Sequence, residues 1–99
     1  MLAGRLRTYA TAYAQVRTLP AKGKRTVTGE PAPLPYVVLD GKKQRLSPGA
    51  LIFDTDNRTI VHGSLPKGAP AVYVTDMNGA VSRIYLLTAL EQRQLDQKR

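Results

Sequence analysis

From residue 36 onward the chain is a succession of short apolar runs rich in Val, Ile and Tyr, each ended by residues that turn a backbone back on itself. This punctuation constrains the fold more than any other feature, because each run suits a strand and is too short for a stable isolated helix. "PYVVL" and "KKQRL" flank Asp40-Gly41, a dipeptide that supplies the positive φ angles of a tight hairpin. Pro48-Gly49 predicts the next turn, "ALIF" and "RTIVH" flank Asp54 to Asn57, and "PAVYVTD" and "AVSRIYLL" flank Met77-Asn78-Gly79. The pattern reads as six strands in three hairpins. So many short strands leave apolar faces wet unless the sheet curls onto itself, so the expected fold is mainly β, a small antiparallel barrel or curled sheet of the SH3-like or OB-like kind.

The pattern changes at both ends. Thr88 with Glu91 three residues on forms a capping box opening "TALEQRQLDQK", which predicts a short C-terminal helix over one sheet edge, with Leu90 as its docking residue. Upstream, residues 19–35 contain four prolines and two glycines without a periodic apolar face, the composition of a linker or extended arm. The expected boundary therefore falls near Pro35, with a basic N-terminal arm over 1–34 and the β domain with its helix over 35–99. Within the arm, Leu2, Leu6, Tyr9, Tyr13 and Val16 recur at helical spacing beside Arg5 and Arg7. Three readings of that segment stand open: a helix packing on the domain, a targeting peptide, or a helix that contacts a membrane surface or a partner. "AYAQ", residues 12–15, has the small-x-small form of a signal-peptidase site after Ala14.

The formal charge of +8 suggests an acidic partner until its location is considered. Residues 1–34 carry six basic groups against Glu30 alone, a balance of +5, whereas 35–99 carry nine basic and six acidic groups. The electrostatic footprint of a polyanion binder is therefore concentrated in the arm. With 42% hydrophobic residues the chain is globular in composition, and its apolar runs fall far short of the ~20 residues of a transmembrane span. The absence of cysteine removes disulfides and thiolate metal sites and leaves the redox compartment undetermined.

"LIFDTDNRTIVH", residues 51–62, looks most like chemistry, since it sets two aspartates, an asparagine and the single histidine between apolar runs. A calcium loop starting at Asp54 would place Asp56 third but needs an oxygen ligand fifth, glycine sixth and glutamate twelfth, where the chain has Arg58, Thr59 and Leu65. A hairpin loop explains the residues with fewer assumptions, Asp54 and Asn57 bonding nearby amides. His62 lacks the further imidazoles or thiolates of a zinc site, "HGS" gives no triad geometry with Ser64, and "KGKRT" lacks the residues of a phosphate loop. No catalytic residue, metal site or cofactor is expected.

Binding has better support. A two-residue turn at Asp40-Gly41 makes Leu39 face Lys42, Val38 face Lys43, Val37 face Gln44 and Tyr36 face Arg45. Alternation then sends Val37, Leu39 and Leu46 inward and Tyr36, Lys43 and Arg45 outward. An aromatic ring beside two cations is what a small barrel uses to stack a base and hold a phosphate; the same residues also suit a solvated, lysine-protected sheet surface. Tyr36, Lys43 and Arg45 are the candidate binding residues.

"VVLDGKKQRLSPGALIFDTDNRTIV" followed by "YVTDMNGAVSRIYLLTALE" resembles an uncharacterised family of short exported bacterial proteins. There a D-G turn, R-L-x-P-G-A, a D-x-x-N-R loop, D-x-x-G-x-V and an aromatic-I/L-L-T ending recur in that order. The likeness spans about Val37 to Glu91. It implies a shared fold and export to the periplasm, and offers no established activity. The expected function is a non-enzymatic binding or interaction module of the cell envelope, with a protein partner or self-association favoured and single-stranded nucleic acid as the alternative partner.

Overall fold

The computed structural model of the chain describes residues 17–97. It is a curled half-barrel of six strands with one short helix: β1 (Lys24–Val27), β2 (Tyr36–Leu39), β3 (Lys42–Phe53), β4 (Thr59–Ile60), β5 (Pro70–Thr75), β6 (Val81–Leu86) and α1 (Ala89–Gln97). A single 3₁₀ turn, His62–Ser64, follows β4. Strand order is β1-β5-β6-β3-β2, with β4 added to β3. The curl brings the two outer strands together: Thr28 and Leu39 form an antiparallel bridge, Gly29 N donates to Val38 O and Asp40 N to Val27 O, both at 2.9 Å. The half-barrel is thereby pinned shut at one end.

Turn chemistry sets the register. Asp40 and Gly41 both take positive φ, 55° and 76°, so the β2–β3 hairpin closes in two residues. The pairs are those the turn demands: Tyr36 with Arg45, Val37 with Gln44, Val38 with Lys43 and Leu39 with Lys42. Alternation then buries Val37, Leu39 and Leu46 with Ile52, Ala71, Val81, Ile84 and Leu86 in one core. At roughly 1.5–3 kcal/mol for each fully buried aliphatic side chain, this cluster is the main stabilising term. It is also why a one-residue slip of β2 is not tolerated.

The strand count of six arises differently from the reading of the sequence. "KKQRL" and "ALIF" are one strand, because Pro48-Gly49 makes a bulge instead of a turn: the β3–β6 register shifts between Leu46 and Leu51, and Gly49 has a φ of 77°. The β3–β6 pairing is parallel, while the other ladders are antiparallel.

The sixth strand comes from the segment expected to be a linker. β1 pairs with β5 from Lys24–Tyr73 to Val27–Pro70. It needs little apolar surface of its own, since Thr26 and Thr28 supply the β-branched inward residues and both are buried. Thr28 Oγ1 donates to Pro66 O at 2.6 Å and accepts from Ala69 N at 2.8 Å. Thr26 Oγ1, in contrast, is buried with no hydrogen-bond partner among the described residues.

The capping box of α1 forms as read. Glu91 N donates to Thr88 Oγ1 at 3.1 Å and Thr88 N donates to Glu91 Oε1 at 3.0 Å. Leu90, however, is 50% exposed and does not dock the helix. Leu87, Glu91 and Leu95, four residues apart, turn inward instead, and Leu87 and Glu91 are buried. The amphipathic segment over residues 2–16 and the cleavage signal at 12–15 lie outside the described residues.

Candidate functional site

The loop that looked chemical is a turn, and it has a twin. Asp54 Oδ1 accepts from the amides of Asp56 and Arg58, both at 2.9 Å, while Asn57 N donates to Asp54 O and Asp54 N to Arg58 O. In the β5–β6 hairpin Asp76 Oδ1 accepts from Asn78 at 2.9 Å and Ala80 at 3.0 Å, Gly79 N donates to Asp76 O and Asp76 N to Ala80 O. The fourth residue of each is left-handed, Asn57 at 64° and Gly79 at 82°, as a type I turn with a following bulge requires. Each loop thus spends one carboxylate oxygen on its own backbone. Asn57 departs from the expectation that its side chain bonds a nearby amide, since its Oδ1 accepts from Arg17 Nη1 at 3.3 Å.

Arg17 belongs to no motif or periodic pattern in the sequence, yet it is the most heavily bonded side chain of this corner. Its Nε donates to Glu91 Oε2 at 2.9 Å, Nη1 to Asp54 O at 2.7 Å, and Nη2 to Leu86 O at 2.5 Å and to Glu91 Oε1 at 3.1 Å. With Asn57 these account for the five N–H donors of a guanidinium. Its side chain is 5% exposed and that of Glu91 7%. The guanidinium also lies 5.5 Å from the centroid of Tyr85, whose other neighbour is Phe53, stacked at 4.8 Å and 9°. A signal did exist at the other partner: an acid midway in the stripe Leu87–Glu91–Leu95 is a buried charge that requires a cation.

Tyr36, Lys43 and Arg45 do share the outward face of the β2–β3 hairpin, and all are exposed. Lys43 Nζ sits 5.3 Å from the Tyr36 ring centroid, a cation–π contact. Among the described residues no ion pair involves Lys43 or Arg45. His62 is half-buried, its Nε2 2.7 Å from the Tyr36 carbonyl oxygen, a contact in which that nitrogen carries the proton.

Beside this face runs a groove of about 630 Å³ that the sequence did not announce. β2 and β4 both pair with the edge of β3 opposite β6, β2 through Lys42 to Arg45 and β4 through Ile52 and Phe53. The bulged stretch between them, with Pro48-Gly49, forms the wall of the groove, and Leu34, Leu51 and Val61 line it with Arg45. Leu34 is 68% and Val61 70% exposed. Among the described residues no carboxylate lines it.

In comparison with known proteins, no family model, no curated protein and no solved structure matches the chain. Among the described residues no group of three His, Cys, Asp or Glu side chains is placed to hold a metal ion, and no helix is long and apolar enough to cross a membrane.

Proposed function

We propose that the protein is a non-enzymatic binding or interaction module of the bacterial cell envelope, with a polypeptide as its partner. The observation that carries this reading is the set of exposed apolar side chains, Leu34, Leu51 and Val61, that lines one open groove. Single exposed apolar residues are ordinary on a protein surface, whereas a contiguous group rimmed by polar residues marks an interaction site. Asp54 and Asp76 each give one carboxylate oxygen to the amides of their own turns. The envelope location rests on the resemblance described above. Purifying the native protein and weighing it intact tests both parts. The expected results are a chain beginning at Gln15 and a stoichiometric polypeptide partner that survives nuclease and moderate salt. A full-length chain that associates only with itself supports self-association without export, and recovery as a monomer with no partner counts against the reading.

Single-stranded nucleic acid is the second reading, favoured by Tyr36 between Lys43 and Arg45 on one face. Two features weaken it. Lys43 already covers a face of the ring on which a base would stack. In addition, two of the arm's cations are engaged within the fold, Arg17 with Glu91 and Arg25 with Asp96 at 2.5 Å. Titration with a labelled single strand at low and moderate salt decides the matter, since this mode of binding weakens steeply with salt. Absence of binding at low salt removes it.

A further inference from the structure

From the open edge of β3 and the cations beside it, we infer that the groove takes an extended polypeptide segment carrying apolar side chains and a carboxylate. This rests on the interaction reading above and adds the site and the chemistry of the partner. Three observations point the same way. First, Leu46 N donates to Pro35 O at 2.7 Å, so the stretch of β3 left on the sheet edge is Ser47 to Leu51, flanked by β2 on one side and β4 on the other. A gap bounded by two strands in one sheet is shaped for a third extended chain, since its backbone can add to the ladder while alternate side chains enter the groove. Second, the lining offers Leu34, Leu51 and Val61, exposed without the segment and covered with it. Third, Arg45 reaches the groove while Lys43 stands one alternation away on the same face, and neither has an ion-pair partner among the described residues. Among the described residues no acid lines this groove, Asp76 standing instead with Arg45 and Pro48 along the adjoining pocket, so the lining itself offers a partner's carboxylate a cation and no repelling charge.

Pro48 removes one backbone donor from the middle of this edge and the bulge bends it. Both devices protect an edge from indiscriminate pairing. The segment is therefore held by a few backbone bonds and by its side chains, so specificity lies in the apolar contacts and in Arg45. An acyl chain with a terminal carboxylate would satisfy the apolar lining and the cation but would leave the strand edge unused.

The test uses the full chain, isotopically labelled, and follows backbone amide resonances during titration. The probes are a capped peptide of about nine residues alternating valine and glutamate, the same peptide with lysine for glutamate, and decanoate. The expected result is that the glutamate peptide moves the resonances of Ser47, Gly49, Leu51 and Val61, and that the lysine peptide does not. Arg45→Glu should weaken the glutamate peptide about tenfold and reverse the preference. Shifts confined to another surface overturn the groove while leaving a polypeptide partner in place. Binding of neither peptide anywhere, with a single-stranded oligonucleotide binding instead, overturns both. Shifts in the groove with decanoate alone reassign it to an acyl ligand and overturn the inference.

Discussion

At its C-terminal end β3 sends Phe53 outward onto Tyr85, and Arg17 lies over that ring. Two residues earlier the same strand sends Leu51 outward, where with Val61 and Leu34 it stands in solvent. The two patches have comparable apolar material and lie on one strand, yet one is covered and the other is not. What differs is the arrival of a single planar cation. A guanidinium can bond three carbonyl or amide oxygens and a carboxylate at once while its flat face rests on a ring, so one residue joins the arm, the Asp54 loop, the end of β6 and α1. Among the described residues no comparable side chain covers the groove.

The largest effect should follow from breaking the covered patch. Arg17→Ala leaves Glu91 charged and buried, and should cost about 3–5 kcal/mol in urea unfolding. Arg17→Met combined with Glu91→Leu should cost less than either single change, because no orphan charge remains. If Arg17→Ala unfolds at the urea concentration of the parent, the guanidinium does not hold this corner and the contrast between the patches disappears.

Next in size is the close approach that lets the arm reach this corner. Gly23 N donates to Pro20 O at 3.1 Å, and a Cβ on Gly23 would stand 2.2 Å from Val72 Cγ1. Val72 is buried on the outward side of β5, opposite Tyr85. Since valine has few rotamers with which to yield, Gly23→Ala should cost about 1–3 kcal/mol, read as a fall in melting temperature. An alanine variant as stable as the parent would mean that the arm can lift from Val72 freely.

These two sites show where reading the sequence stops. The β2–β3 register followed from Asp40-Gly41 and the pattern of Val37, Leu39 and Leu46, because turn geometry and alternation are local rules. The capping box of Thr88 and Glu91 followed for the same reason. The placement of Tyr36, Lys43 and Arg45 on one face came from that register too. Arg17 could not be found this way: its partners lie 37 to 74 residues away, and no periodicity links them. β1 was hidden because its inward residues are threonines in a segment dense in proline, which weighed against a strand. The groove depends on where β2 and β4 stop along β3, a property of boundaries, and Pro48-Gly49 reads equally well as a turn or as a bulge.

The twin loops permit an internal control. Asp54→Ala and Asp76→Ala each remove an oxygen that accepts two amides, and each should cost about 1–2 kcal/mol in thermal unfolding. The Asp54 change should be the larger, because its loop also presents the Asp54 carbonyl and Asn57 to Arg17. Equal losses would show that the Asp54 loop keeps its shape without its carboxylate. Thr26→Val offers the opposite sign: it replaces a buried hydroxyl that has no partner among the described residues, and should raise stability by about 1 kcal/mol. A loss on this change would mean that the hydroxyl is hydrogen-bonded in solution.

The uncovered patch should respond least of all. Val61→Ser and Leu34→Ser alter side chains that are 70% and 68% exposed, so each should change unfolding stability by no more than about 0.5 kcal/mol. Near-silence of this kind is informative only beside the Arg17 result. Apolar side chains whose removal costs the fold nothing, on the strand where a neighbouring apolar pair depends on a dedicated cover, are surface that the chain keeps for something outside itself. A loss of 2 kcal/mol or so at Val61 would instead place it within the packing of the fold, on the scale expected for burying an aliphatic side chain, and the groove would then be a seam of the core.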